Sequence, residues 1–196
     1  MNREEVQKIF ESVGAIRTGH FELTSGLHSG TYIQCAMVLQ YPQHAEALGH
    51  ALAEHFKGSQ ISCVVAPAMG GITIGYEAAR ALGVRSLWVE RDRSGQMALR
   101  RGWAIQPGER VLVVEDVWTT GGSTRETISV VQQESGTVVA AGALIDRTGG
   151  RLDLNVPAHA LLTMQVPTYE PEQCPLCRAG VPIYRPGSRQ TVAHGT

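Results

Sequence analysis

Apolar residues recur along the chain with two different periods. After Asn2, the residues Val6, Ile9, Phe10 and Val13 follow the i, i+3, i+4, i+7 spacing of a helix lying on a core; Glu5 is placed to close a capping box and Gly14 to end the helix. Two strand-like runs flank Ser25-Gly26 within residues 19–35 and predict a hairpin. Pro42 opens a second helix with Ala45, Leu48, Leu52 and Phe56 on its apolar face. Beyond it, short apolar runs alternate with helical ones. Strands are predicted at residues 61–66, 85–89, 111–114, 138–145 and 160–164, with Gly83 and Gly136 as helix stops. Three of the four residues 111–114 are β-branched and none is polar, as in a strand buried on both faces. The alternation predicts an α/β fold, a parallel sheet flanked by helices. The expected organisation is a single domain: an N-terminal helix and hairpin over about residues 1–60, an α/β core over about 61–165, and a Pro- and Gly-rich, irregular tail over about 166–196.

A length of 196 residues allows a sizeable core, and a net charge of -1 gives no electrostatic reason to expect nucleic acid or an anionic membrane as partner. The first residues lack a long apolar signal region and no apolar run approaches a membrane span, so a soluble, cytoplasmic protein is expected. Cys35 and Cys63 lie in apolar surroundings and read as buried thiols, while His44, His50 and His55 read as solvated helix positions. Cys174-x-x-Cys177 has the spacing of half a zinc site, but no second such pair exists and His159 and His194 are distant candidates. The expectation is a turn with two reduced cysteines; zinc within the chain, or shared between subunits, is the alternative.

The densest chemistry lies at residues 111–123. The apolar strand ends in Glu115 and Asp116, a loop of Thr119, Thr120, Gly121 and Gly122 follows, and Ser123-Thr124-Arg125-Glu126 has the capping-box spacing of a new helix. Hydroxyls, backbone N–H groups freed by glycine and a helix start together suit a phosphate monoester. Carboxylates would repel that phosphate, so the two acids are better matched to ribose hydroxyls or to Mg²⁺, directly or through water. There is no Lys after the last Gly, as a P-loop would have. A second Gly pair, Gly70-Gly71 after Met69, sits at the end of the 61–66 strand and could also expose amides to an anion. Residues 90–102 form a polar segment with Arg91, Arg93, Arg100 and Arg101, either a lid over a pyrophosphate or a solvated charged loop.

The string from Val111 to Ser123 resembles the phosphoribosyl pyrophosphate (PRPP) signature of type I phosphoribosyltransferases, and residues 19–35, with Phe21, Ser25-Gly26, Tyr32 and Ile33, resemble the N-terminal hood of the orotate phosphoribosyltransferases. The resemblance spans roughly residues 1–165. It implies the type I fold with a small hood, and the Mg²⁺-dependent conversion of orotate and PRPP to orotidine 5'-monophosphate and pyrophosphate. It assigns PRPP to Met69, Gly70, Gly71, Arg91, Glu115, Asp116, Val117, Trp118, Thr119, Thr120, Gly121, Gly122 and Ser123, with Arg91, Glu115 and Asp116 catalytic. Orotate is assigned to Thr119, Arg147, Tyr32 and Ile33. No protein side chain is given as a dedicated metal ligand, since Mg²⁺ would be held mainly through PRPP and water. A homodimer is implied, the 90–102 segment of one copy completing its partner's site. Two departures stand out: the Met69 to Gly71 loop has no Lys, and Asp92 replaces the Lys that usually follows Arg91, leaving Arg93, Arg100 or Arg101 to do its work. A purine-base phosphoribosyltransferase and a regulator that binds PRPP without catalysis are the competing readings.

Overall fold

The computed structural model describes residues 1–23 and 25–186. In chain order the helices are α1 (Arg3–Ser12), α2 (Ala36–Leu39), α3 (Pro42–His55), α4 (Gly71–Leu82), α5 (Gly122–Gln133) and α6 (Pro175–Arg178). The strands are β1 (Ile16–Glu22), β2 (His28–Ile33), β3 (Cys63–Pro67), β4 (Arg85–Arg91), β5 (Met97–Leu99), β6 (Arg110–Trp118), β7 (Thr137–Asp146), β8 (Ala158–Thr163) and β9 (Thr168–Tyr169). They group into two compact units, one of residues 1–15 and 35–165, the other of residues 16–34 and the chain from Val166.

The first unit is built on a sheet of order β5-β4-β3-β6-β7-β8, parallel throughout except for β5. Its strands are apolar on both faces because both are covered. Cys63, Val65, Val111, Val113, Ala141 and Ala143 meet Ile128 and Val131 of α5 in one buried cluster. The alternate residues Val64 and Ala66 meet Gly75 of α4, where a Cβ would lie 2.8 Å from that of Ala66. α3 in turn packs on α4, closely enough that a Cβ at Gly49 would come within 2.5 Å of the Glu77 Cβ. The predicted capping box of α1 is present, with Asn2 and Glu5 bonding reciprocally, and Gly83 ends α4 with a φ of 70°.

Strand order places the functional loops. β3 lies between β4 and β6, so the chain turns to one side after β3 and the sheet continues to the other through β6. At such a reversal the loops leaving the two strands open into a common crevice. Those loops carry Met69 to Gly71 and Thr119 to Gly122.

Several local expectations change. β6 does not stop at the acids but runs through them to Trp118, because Glu115, Val117 and Trp118 continue the ladder with Ala143, Ile145 and Asp146 of β7. The 90–102 segment is not a structureless loop: β4 extends to Arg91 and pairs antiparallel with β5 around a turn. α5 is terminated by Ser135, which takes the left-handed conformation at φ 64°; Gly136 is needed for space, since a Cβ there would lie 2.7 Å from Ile105.

In the second unit, β1 and β2 form the predicted hairpin, and β9 adds to the other edge of β2. The expected irregular tail is thus ordered up to residue 186, with β9, a single 3₁₀ turn at Pro171–Gln173 and α6. Phe21, Tyr32 and Tyr184 pack their rings together, and Tyr184 N–H donates to the His20 carbonyl. Among the described residues no helix is long and apolar enough to cross a membrane.

Candidate active site

A polar cleft of about 210 Å³ opens at the end of β6, lined by Arg91, Glu115, Val117, Thr119 to Thr124 through the turn, and Glu126. The turn is set by Gly121, whose φ of 75° is a left-handed conformation that side chains resist, and a Cβ there would also lie 2.6 Å from Leu152. Arg125 pins the turn from outside by donating to the carbonyls of Thr120 and Asp153 at 2.6 and 2.7 Å. The expected capping box at Ser123 is not formed. The N-cap falls two residues earlier, at Gly121, and no side chain caps it, while Glu126 pairs with Arg91 at 2.8 Å. The first-turn N–H groups are therefore left for an anion.

The acids behind the turn differ from each other. Glu115 is buried, accepts from Thr124 Oγ1 at 3.3 Å, and has its carboxyl pushed up to about 8, first by burial and then by the charge of Asp116. Asp116 is half-buried, accepts from the Val117 N–H at 2.8 Å, and is also raised by burial. Both are short of hydrogen-bond donors for a pair of carboxylates, which suits them to neutral hydroxyls or to a cation with its water shell.

The Met69 to Gly71 loop reaches this pair. A Cβ at Gly70 would lie 2.8 Å from both Asp116 carboxylate oxygens, and one at Gly71 would lie 3.0 Å from the Val114 carbonyl, so glycine is what lets the loop approach. Met69 is 82% exposed and α4 starts behind it without a side-chain cap. Two helix N-termini thus begin at the same crevice.

Of the basic residues among those described, only Arg91 lines the cleft, and it also donates to the Gly95 carbonyl at 2.6 Å. Arg100 and Arg101 reach Glu90 at 3.7 and 2.9 Å, and Arg101 lies over the Trp88 ring. Asp92, where a Lys was expected, holds the β4–β5 turn: its Oδ1 accepts from Ser94 N–H, Ser94 Oγ and Gln96 N–H at 2.8, 2.6 and 3.0 Å. Those bonds, the Ser94 hydroxyl first, hold its carboxyl below the usual range.

Trp118 is buried in the core under α5, its indole N–H donating to Thr124 at 3.1 Å. Its side chain therefore supports the turn from behind. Arg147, half-buried, directly follows β7; its backbone N–H donates to the Trp118 carbonyl at 2.9 Å, so it stands beside the end of β6. Asp146 fixes the bend after it by accepting from Thr148 N–H, Thr148 Oγ1 and Gly150 N–H. Sequence reasoning missed Thr124 and Glu126 as members of the site; their places one and three residues after Ser123, at the start of α5, were the available signal. Tyr32 and Ile33 lie in β2 of the second unit.

Comparison with known proteins bears on this geometry. A family model described as the phosphoribosyl transferase domain matches residues 34–170. The chain is 56% identical over 190 residues, 97% of its length and 100% of the relative's, to a protein named orotate phosphoribosyltransferase from Pelotomaculum thermopropionicum. It is 47% identical over 184 residues, 94% of its length and 98% of the relative's, to one of the same name from Thermotoga maritima. Among solved structures, an orotate phosphoribosyltransferase from Aeropyrum pernix superposes with a TM-score of 0.68 at 28% identity, over 82% of this chain and 94% of that one. With a hydroxyl- and glycine-lined turn, paired acids and a second glycine loop gathered at the reversal of a parallel sheet, the chain belongs to the phosphoribosyltransferase family, in its orotate phosphoribosyltransferase branch.

Proposed function

We propose that the chain is an orotate phosphoribosyltransferase, an enzyme that joins orotate to the phosphoribosyl group of PRPP and releases pyrophosphate, forming orotidine 5'-monophosphate for pyrimidine synthesis. The observation that carries this is 56% identity, over essentially the whole of both chains, to a protein of that name. The site residues are assigned in keeping with it.

The 5'-phosphate is read onto the Thr119 to Ser123 turn, where hydroxyls and the first N–H groups of α5 converge. Glu115 and Asp116 are assigned the ribose hydroxyls, and Met69 to Gly71 the pyrophosphate, with the Gly70 approach to Asp116 supporting their use on one ligand. Mg²⁺ fits the hard oxygen donors of the two acids and keeps most of its shell from PRPP and water; when bound it supplies positive charge to the pyrophosphate. Departure of pyrophosphate leaves oxocarbenium-like charge at the ribose carbon, so the protein's work is alignment and leaving-group stabilisation rather than covalent chemistry. Arg91, held at the rim by Glu126, is placed to add its charge as the pyrophosphate leaves. A guanidinium fork suits the orotate carboxylate, the role given to Arg147, while Thr119, Tyr32 and Ile33 are assigned to the base from the resemblance alone. The protein is taken to act in the cytoplasm as a homodimer, the exposed Arg93 of the β4–β5 hairpin reaching toward a partner's site.

The test is orotate absorbance on mixing protein, orotate, PRPP and Mg²⁺, with EDTA and purine-base controls. Loss that needs both PRPP and Mg²⁺ is expected; reaction of a purine instead would make it a purine enzyme, and PRPP binding without turnover a regulator. The variant Arg147→Ala is expected to weaken orotate binding at least about tenfold more than PRPP binding, as for loss of a charged hydrogen-bonding partner. Equal losses for both would remove Arg147 from the base site.

A further inference from the structure

The second unit holds a cluster that phosphoribosyl transfer does not use. Cys174 and Cys177 are joined there by His20 of β1 and His28 of β2, and the four ligand atoms all lie within 4.8 Å of one another. His20 Nε2 is 3.1 Å from His28 Nδ1, 3.6 Å from Cys174 Sγ and 3.7 Å from Cys177 Sγ, and Cys177 Sγ is 3.2 Å from His28 Nδ1. Tetrahedral zinc, with Zn–S of about 2.3 Å and Zn–N of about 2.05 Å, spaces its ligand atoms about 3.3 to about 3.8 Å apart. The four spacings given lie within about 0.4 Å of that polyhedron's edges. We propose that His20, His28, Cys174 and Cys177 form a structural Cys₂His₂ zinc site that fastens the chain after Val166 to the β1–β2 hairpin.

The surroundings prepare the donors. His20 Nδ1 is 2.7 Å from the Val181 carbonyl, which can only accept, so that nitrogen carries the ring proton and Nε2 keeps its lone pair toward the cluster. His20, His28 and Cys174 are buried, no carboxylate is among the four, and thiolates with imidazoles select zinc over Mg²⁺. Cys174 caps α6 and Cys177 lies in its single turn, which directs both sulfurs to one point. A β-bulge between Thr18 and Phe21 shifts the hairpin register where His20 sits. An open cleft of about 590 Å³, with His20, His28 and Cys177 in its wall, gives the ion a way in. Four protein ligands leave no open position, so the role is structural. His159, the candidate from sequence, is stacked on His55 in the other unit at 3.4 Å between ring centres, and His194 lies outside the described residues.

The test is metal content and cobalt spectroscopy of the untagged full chain, kept reduced. About one zinc per chain that survives gel filtration is expected. Replacement by Co²⁺ should give the intense visible absorption of a tetrahedral ion with thiolate charge transfer. Cys177→Ser and His28→Gln should lower metal affinity at least about tenfold, whereas His159→Gln should not change it. Should a ligand variant fail to fold, the cobalt spectrum of the unaltered chain decides. The proposal is overturned by a chain that neither carries zinc nor takes up Co²⁺ when reduced, by unchanged affinity in Cys177→Ser, or by a Cys174–Cys177 disulfide that shows no metal uptake on reduction.

Discussion

Glu115 is a carboxyl whose surroundings favour its neutral form, since burial and the neighbouring Asp116 raise it from 4.5 to about 8. Between those values the folded chain holds a proton that the unfolded chain releases, so stability falls as pH rises. The neutral form's advantage is complete below about pH 4.5 and gone once pH passes about 8. In Glu115→Gln the amide keeps a partner in Thr124 and has nothing to lose, so at about pH 8 the unliganded variant should be the more stable by on the order of 1 kcal/mol, while its PRPP binding falls. Urea unfolding across pH reads this directly, and an unchanged slope in the variant would place the titration elsewhere. That this pair would lie beside a hydroxyl-and-glycine turn was legible in the sequence, because the two are contiguous in it. Their unequal burial was not, because it depends on Thr124 and on Gly70 closing over Asp116 from a loop 46 positions earlier.

At the level of elements, the turn from Thr119 to Ser123 rests on one residue's backbone. Gly121→Ala must adopt a φ of 75° and place a methyl 2.6 Å from Leu152, whereas Gly122→Ala meets nothing closer than Thr120 Oγ1 at 3.6 Å. The first change should cost about 1–3 kcal/mol of stability, read by thermal unfolding, and weaken PRPP binding; the second should cost less than about 1 kcal/mol. Equal costs would mean that turn conformation is not what the glycine supplies. Runs of apolar residues gave away the five parallel strands, but three features were hidden because another partner competes for the residue. Glu126 has capping-box spacing yet pairs with Arg91, Asp92 stands in the place of a Lys yet ties a hairpin turn, and Gly136 reads as a helix stop yet is small to admit Ile105. Propensity sees the residue; only packing decides which use prevails.

Across the molecule, the reading from sequence was sound for the α/β core and poor for the tail. Hydrophobic periodicity reports local pairing, whereas beyond the short turns of Pro171–Arg178 the contacts that hold residues 166–186 are distant: β9 pairs with β2, Ser29 donates to the Pro167 carbonyl, and Cys177 meets a histidine 157 positions away. Pro and Gly mark such a segment as irregular when its order comes from a long-range clasp. If that clasp is zinc, the two units answer to different ligands, because all four proposed metal-binding residues belong to one and the turn proposed to hold the phosphate to the other. Hydrogen exchange read peptide by peptide should separate them. Stripping the metal should raise exchange by about tenfold or more in residues 16–34 and 166–186 before it touches β3, β6 and β7, as expected when an ordering ion is lost. PRPP with Mg²⁺ should instead protect residues 69–72 and 115–124, and at about 100 times its Kd should stabilise the first unit by about 2.7 kcal/mol. Exchange that rises evenly through both units on metal loss would show that the ion supports the whole chain rather than its own unit, and protection by PRPP outside the crevice loops would move the cradle.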